Sequence, residues 1–209
     1  MDHIQLDMAT YKRKDHFDYF RHMAYPYVGT TVNVDITGFL EKVKKEGFPF
    51  FLSFCYCVQK AANSVPEFRQ RISGGGILEF AYCRTSHTVA LEDGTYCYCT
   101  LDGQMPFSDY IPYAVKEQEK AKVQCSIKEE SEDVQDMIFI STVPWMTFTS
   151  LVQPVPMPAD SNPRITWGRY FGQAGRTLMP VAVLCHHALV DGVHIGEFYK
   201  ALEKDLESL

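Results

Sequence analysis

The sequence predicts a fold of the α/β class, in which helices and strands are mixed along the chain. Residues 178–185 form a nearly unbroken apolar run that is short and rich in Val and Leu, which is typical of a strand buried on both faces. Residues 50–64 are apolar almost all round, which indicates a buried helix. Asp93-Gly94 predicts the tight turn of a β-hairpin.

The spacing of apolar residues predicts the remaining elements. Helices are expected at residues 11–24, 38–45 and 108–124, and after Gly192, where apolar residues recur at helical spacing up to Leu209. Strands are expected at residues 31–35, 77–82, 86–91, 95–101, 137–145 and 148–155. Residues 165–171 and 177–185 are expected to form a hairpin around Gly172–Gly175.

Composition and charge limit the classes of protein to consider. The 209 residues are 46% hydrophobic, which suits one core and a single domain over residues 1–209. The net charge is −6 and Lys and Arg form no long block, so nucleic acid is not an expected partner. Without an apolar targeting segment or long apolar span, we expect a cytoplasmic protein that is not membrane-bound. Seven cysteines without a CxxC pair predict no disulfide framework.

Two histidines, His186 and His187, follow the apolar run, and Asp191 and Gly192 come shortly after them. Neighbouring strand residues point to opposite sides, so only one histidine can face a given site. The pair could be two ordinary polar residues at a strand end. A metal site that adds His194 is disfavoured, because adjacent strand histidines chelate poorly. The third interpretation is a general base whose placement depends on Asp191 and the turn.

Four short motifs together resemble one known family. They are His-His-x-x-x-Asp-Gly at residues 186–192, a basic-basic-acidic-His-Phe run at 13–17, Pro-Glu-Phe-Arg at 66–69 and Ser-x-x-Pro-Trp at 141–145. In this order they resemble the chloramphenicol acetyltransferase family of coenzyme-A-dependent acyltransferases. Peptide-synthetase condensation domains share the histidine motif but need roughly twice this length. Lipoamide acyltransferases normally carry a Pro/Ala-rich linker, which this sequence lacks.

The resemblance spans residues 11–206 and implies a fold, an activity and an assembly. The fold is an α/β two-layer sandwich, a mixed β-sheet covered by helices. The activity is transfer of the acetyl group of acetyl-CoA to a hydroxyl of chloramphenicol, which confers antibiotic resistance, with no metal. The assembly is a homotrimer, in which His187 from one subunit meets an acceptor pocket formed largely by the next.

The resemblance also implies the catalytic residues. His187 is the general base that deprotonates the acceptor hydroxyl, and Ser141 donates a hydrogen bond to the tetrahedral oxyanion. Arg13 pairs with Asp191, which makes this aspartate structural. No G-x-S-x-G elbow surrounds Ser141, so a nucleophilic role is not expected; the alternative is an ordinary hydroxyl in a strand.

Other positions of the family bind the two substrates. The resemblance implies acceptor contacts by Phe20, Tyr96, Leu151, Gln153 and Thr166, and coenzyme A contacts by Trp145 and Tyr170. Gln153 and Arg164 are polar where the family is usually apolar, and a buried Arg164 would need a carboxylate, a phosphate or solvent. Pro49 and Phe51 replace the common Lys and Tyr that contact coenzyme A. The resemblance therefore does not carry these two coenzyme A contacts over to this chain, and the polar Gln153 and Arg164 leave the acceptor open.

Two alternatives to chloramphenicol acetylation therefore remain. One is a related coenzyme-A-dependent acyltransferase that acts on another small alcohol or thiol. The other is a trimeric small-molecule binding protein without catalysis. The complete set of His187, Asp191, Arg13 and Ser141 argues against the second, because a binding protein gains nothing from a base beside an oxyanion donor.

Overall fold

The computed structural model describes residues 2–124 and 134–209. Its helices are α1 (Lys14–Phe20), α2 (Thr37–Glu46), α3 (Phe50–Ser64), α4 (Phe107–Gln124) and α5 (Gly192–Ser208), with a 3-10 turn at Pro66–Arg69. Its strands are β1 (His3–Gln5), β2 (Tyr27–Asp35), β3 (Gln70–Ser73), β4 (Gly76–Phe80), β5 (Arg84–Ala90), β6 (Tyr96–Leu101), β7 (Met137–Val143), β8 (Arg164–Gly168), β9 (Phe171–Gln173) and β10 (Arg176–His186).

The main sheet is mixed, and β10 is an interior strand next to the edge strand β2. Its strand order is β2-β10-β8-β7-β5-β6, and β9 pairs with the start of β10. The β7 strand is parallel to both β8 and β5, whereas β10 is antiparallel to both of its long neighbours. A smaller sheet has the order β1-β4-β3. The interior position of β10 explains its continuous apolar run, because both of its edges and both of its faces are covered.

The helices lie on one face of the main sheet. Val181 and Val183 of β10 belong to a core cluster with residues of α2, α3 and α5, and a second cluster joins α3 and α4 to β5 and β6. Alternate residues such as Ala182 and Leu184 point to the opposite face. Part of residues 144–163 runs over that face. The arrangement confirms the predicted mixed sheet covered by helices.

Several predicted elements are present with small shifts. The helix expected at residues 50–64 has these bounds, and Asp93-Gly94 connects β5 and β6 as a hairpin, with Gly94 at φ 83°. The strand–turn–helix around Gly192 is also confirmed. The first helix is shorter than the expected 11–24 and ends at Phe20.

The strand predicted at residues 148–155 is wrong. This segment forms no strand, although it contains several β-branched and apolar residues. Both edges of β8 are already occupied, by β7 and β10, so no free edge is available beside it. Pro154 and Pro156 also lack the N–H groups that a ladder requires. The segment therefore crosses the face of the sheet.

The described residues carry neither a membrane-crossing helix nor a disulfide. No helix within 2–124 and 134–209 is both long enough and apolar enough to traverse a bilayer. Six cysteines of the described residues are buried as free thiols, as the sequence predicts.

Candidate functional site

The two adjacent histidines occupy different environments. His186 is the last residue of β10 and is 3% exposed, with its ring edge-on to Tyr27. Its Nδ1 accepts a hydrogen bond from the Ala188 N–H at 3.2 Å. Burial lowers the pKa of His186 to about 4, because the charged form loses hydration. His186 is therefore a neutral structural residue, and it cannot share a site with its neighbour.

His187 lies just beyond the strand and is held on three sides. Its backbone N–H donates to the Pro26 carbonyl at 2.7 Å, and its ring stacks on Phe20 with centroids 3.8 Å apart. Nδ1 lies 2.9 Å from the Val190 carbonyl oxygen. A carbonyl can only accept a hydrogen bond, so Nδ1 carries a proton, and in the neutral ring Nε2 then keeps its lone pair. This tautomer can act as a base through Nε2.

Asp191 is the N-cap of α5 and pairs with Arg13. One carboxylate oxygen accepts from the Val193 N–H at 3.1 Å and the other from the Arg13 guanidinium. Burial opposes ionisation of Asp191, but the Arg13 guanidinium together with the Val193 N–H and His194 holds the pKa of the carboxyl below its usual value. The aspartate thus ties α1 to α5. Since Val190 occupies His187 Nδ1, Asp191 is not the partner of the base.

His194 contributes to the same turn, and the sequence suggested it only as a metal ligand. Its Nδ1 accepts a hydrogen bond from the Asp191 N–H at 3.1 Å, and its Nε2 faces Glu67 Oε1 at 3.5 Å. An N-cap aspartate followed by an acceptor at the third helical position matches the capping-box pattern, so a local signal existed. The metal interpretation finds no support, since no cluster of His, Cys, Asp or Glu suited to a metal occurs among the described residues.

Ser141 belongs to a second group of polar residues on the open face of the sheet. It pairs with Thr166 in the parallel ladder of β7 and β8. The Thr166 hydroxyl donates to Gln153 Oε1 at 3.1 Å. Gly168 allows the segment after β7 to lie close against β8, because a Cβ at this position would meet the Met146 carbonyl oxygen at 2.8 Å. The structure therefore places three predicted site residues, Ser141, Thr166 and Gln153, close together.

Arg164 forms an ion pair with Asp160 of the same chain. Its guanidinium donates to both oxygens of Asp160, at 2.8 and 2.7 Å, and lies over the Phe139 ring at 5.3 Å. The Tyr27 hydroxyl donates to the same carboxylate at 3.0 Å. The expected need of Arg164 for an anionic partner is thus met by Asp160. The sequence did not indicate this residue.

The other predicted contacts lie apart from both groups. Tyr96 begins the edge strand β6 and is 50% exposed, whereas Trp145 follows β7 and is 74% exposed. Leu151 lies in the crossing segment, two residues before Gln153. The Tyr170 ring is 5.8 Å from that of Phe50 at the start of α3. The structure brings none of these four residues next to His187.

Pro49 and Phe51, which replace the family's common Lys and Tyr, lie at the start of α3. The Phe51 ring packs against Trp167, with centroids 5.5 Å apart, and against His87 at 5.1 Å. Pro49 is the N-cap residue of α3. Neither side chain offers a hydrogen-bond donor to a phosphate.

Within one chain, His187 and Ser141 are far apart. Thr166 pairs with both Ser141 and Ala182, and His187 lies five residues beyond Ala182. At strand spacing this is roughly 16 Å along β10 and about 10 Å across two strands. The base and the hydroxyl can therefore act on one substrate only if a second chain supplies one of them.

A histidine base and a hydroxyl that can donate to an oxyanion are the groups that acyl transfer to an alcohol requires. Comparison with known proteins identifies the family. The chloramphenicol acetyltransferase family matches residues 1–203. The chain belongs to this family, and the predicted class of acetyl-CoA-dependent acyltransferase is confirmed at the family level.

Individual relatives agree with this assignment. A chloramphenicol acetyltransferase of a Klebsiella species is 29% identical over 202 residues, covering 95% of this chain and 91% of that protein. Chloramphenicol acetyltransferase 3 of Escherichia coli is 23% identical, with 98% and 97% covered. A solved chloramphenicol acetyltransferase structure superposes with a TM-score of 0.82 at 25% identity, over 97% of this chain and all of that one. The α/β fold predicted from the resemblance is thereby confirmed.

Proposed function

We propose that this protein is a chloramphenicol O-acetyltransferase that uses acetyl-CoA as donor and confers resistance to the antibiotic. Residues 1–209 would form a single acetyltransferase domain, acting in the cytoplasm. The observation that carries the proposal is the fixed tautomer of His187, whose Nδ1–H donates to Val190 and leaves Nε2 as a base. Phe20 holds the ring flat against one face, which limits its rotation.

In the proposed mechanism, His187 accepts the proton of the acceptor hydroxyl and Ser141 stabilises the negative charge of the oxyanion. His187 Nε2 takes the proton of the acceptor hydroxyl as the alkoxide attacks the thioester carbonyl of acetyl-CoA. The Ser141 hydroxyl donates to the oxyanion of the tetrahedral intermediate. Collapse expels the thiolate of coenzyme A, which takes the proton from His187, and no acyl-enzyme forms. Thr166 lies beside Ser141 and would bind the acceptor on the same side.

A homotrimer would bring the two halves of the site together. Each subunit would provide His187 at one interface and the Ser141–Thr166–Gln153 group at the next, as cyclic symmetry allows. The open face of the sheet, which carries Ser141, has exposed aromatic residues that suit a contact, Tyr96 and Trp145. The separation of His187 and Ser141 within one chain supports this assembly.

A second candidate is O-acetylation of a more polar small alcohol. The group beside Ser141 includes the Gln153 carboxamide and, two residues before Thr166 on β8, the Arg164–Asp160 ion pair. The Gln153 carboxamide favours an acceptor with several hydrogen-bonding atoms, because its oxygen accepts from Thr166 while its amide N–H groups can donate to an acceptor oxygen.

The deciding experiment follows release of free thiol from acetyl-CoA, with chloramphenicol as acceptor. The wild type should turn over, and His187→Ala should lose about 10²- to 10⁴-fold in kcat while remaining folded. His186→Asn is the matched control, because its amide oxygen can replace Nδ1 as acceptor, and it should stay active. Turnover only with other alcohols would favour the second candidate. Binding of acetyl-CoA without turnover of any acceptor would indicate a binding protein.

A further inference from the structure

We propose that Glu67 and His194 are positioning residues, which set the tautomer and orientation of His187 through a single peptide group. This inference rests on the proposed role of His187 as the base. Neither residue reaches the acceptor or the oxyanion in this arrangement. Their effect passes through the peptide that joins Val190 to Asp191.

The two ends of that peptide group bind two different histidines. Its carbonyl, on Val190, accepts from His187 Nδ1–H at 2.9 Å. Its N–H, on Asp191, donates to His194 Nδ1 at 3.1 Å. A peptide group is planar, so fixing the direction of the N–H also fixes the direction of the carbonyl. His194 therefore determines where the acceptor for His187 Nδ1–H points.

Glu67 favours the tautomer of His194 that carries the proton on Nε2. Since Nδ1 accepts the Asp191 N–H, a neutral His194 bears its proton on Nε2, which faces Glu67 Oε1 at 3.5 Å. The His194 side chain is 10% exposed and that of Glu67 21%, so water competes little for either. A carboxylate accepts from N–H but cannot donate, so Glu67 favours this tautomer over the other.

The chain of hydrogen bonds also affects how basic His187 is. A peptide whose N–H donates is polarised, and its carbonyl becomes a stronger acceptor. A stronger acceptor stabilises the positive charge that His187 gains with the proton of the alcohol. Asp191 Oδ1 also lies 3.3 Å from His194 Nδ1, so a protonated His194 would donate to this carboxylate and release the peptide. The relay therefore operates with neutral His194.

The test compares variants that keep or remove single acceptors. His194→Asn places an amide oxygen near the position of Nδ1 and should stay within about threefold of the wild-type kcat. His194→Leu removes the acceptor and should lower kcat about tenfold or more, with both KM values unchanged within about twofold. Glu67→Gln retains an acceptor for the His194 Nε2–H, whereas Glu67→Met does not, so Glu67→Gln should have the higher kcat. If His194→Leu does not fold, this pair of Glu67 variants still tests the proposal.

Two readouts separate positioning from general destabilisation. The apparent pKa of the base in the pH profile of kcat/KM should fall in His194→Leu. It should not move in Leu206→Ala, a buried position at the far end of α5 where truncation lowers stability alone. An unchanged kcat in His194→Leu, or a loss of kcat with no shift of that pKa, would overturn the proposal.

Nuclear magnetic resonance of ¹⁵N-labelled histidine tests the relay without any turnover. His187, assigned by difference with His187→Ala, should show one tautomer with the proton on Nδ1 in the wild type and a mixture in His194→Leu. An imidazolium at His194 at pH 7.5 would refute the relay, because it cannot accept from the Asp191 N–H. If no acceptor is ever turned over, the proposed function fails while this measurement still decides whether the relay exists.

Discussion

The difference between His186 and His187 shows how position along one strand assigns opposite roles to the same residue type. His186 is inside the strand ladder, opposite Tyr27, and burial keeps it neutral. His187 is one residue further, beyond the last ladder pair, where its ring can bond the turn that follows. The histidine proposed as the base is thus the one outside the strand ladder, and stacking on Phe20 restrains its ring instead.

Neutral His186 should make the fold sensitive to mild acid. The unfolded chain protonates this histidine near pH 6.5, whereas burial lowers its pKa in the folded state to about 4. Between these values the unfolded state binds the extra proton, so stability falls as the pH decreases. We expect His186 to contribute about 1–2 kcal/mol of destabilisation between pH 7 and pH 5.

Denaturant unfolding of the wild type and of His186→Asn at both pH values measures this contribution. The amide oxygen of Asn can accept the Ala188 N–H as Nδ1 does, but it does not titrate. The loss of stability on acidification should therefore be smaller in the variant by about the same 1–2 kcal/mol. Equal losses would show that His186 is protonated alike in both states.

At the scale of elements, the Arg13–Asp191 pair joins the two helices that flank the base. Arg13 precedes α1, which ends at Phe20, and Asp191 begins α5. The pair therefore couples the residue that stacks on His187 to the turn that bonds it. The guanidinium is 17% exposed and the carboxylate 28%, which makes the pair stronger than one on an open surface.

A double-mutant cycle with Arg13→Met and Asp191→Asn should measure that coupling. Asn at position 191 retains an oxygen for the N-cap bond, so the cycle isolates the ion pair. We expect each single variant to lose about 2 kcal/mol, because it leaves a partly buried group without its partner. The pair should show a coupling energy of about 1–2 kcal/mol in denaturant unfolding. A coupling near zero would mean that solvent replaces either partner at no cost.

The elements that could be predicted from sequence are those with local determinants. The apolar run of β10, the Asp93-Gly94 turn and the all-round apolar α3 each carry their signal within a short window. The segment 148–155 has β-branched and apolar residues that suit a strand, but pairing depends on a free edge, and β8 has none. An edge is a property of the assembled sheet, so no local pattern in this segment reveals it.

The residues of the site also differ in whether a local sequence signal could predict them. The histidine–aspartate–glycine motif could be predicted because a strand, a turn and a helix start lie together in sequence. The partner of Arg164 and the contact of His194 with Glu67 could not, because neither has a signal beyond an ordinary charged residue. Asp160 lies only four residues before Arg164, but in a segment without helix or strand, whose course no local pattern predicts, and Glu67 reaches His194 from elsewhere in the chain.

At the scale of the whole molecule, the separation of His187 and Ser141 leads to a test of assembly. Consider a mixture of His187→Ala and Ser141→Ala subunits, each inactive alone. In a cyclic trimer whose sites lie between subunits, every mixed trimer contains one interface that joins an intact His187 to an intact Ser141. Random mixing of equal amounts, after joint unfolding and refolding, should therefore restore about one quarter of the wild-type turnover.

The control for this experiment is a mixture of the two purified variants without unfolding, which should stay inactive if subunits do not exchange. Recovery in the refolded sample alone would show that the site is shared between chains, in agreement with the strand register that places the two residues apart. No recovery from a sample that refolds to the native trimer would mean that each chain completes its own site. The proposed division of labour between subunits would then be wrong, because His187 and Ser141 would have to meet within a single chain.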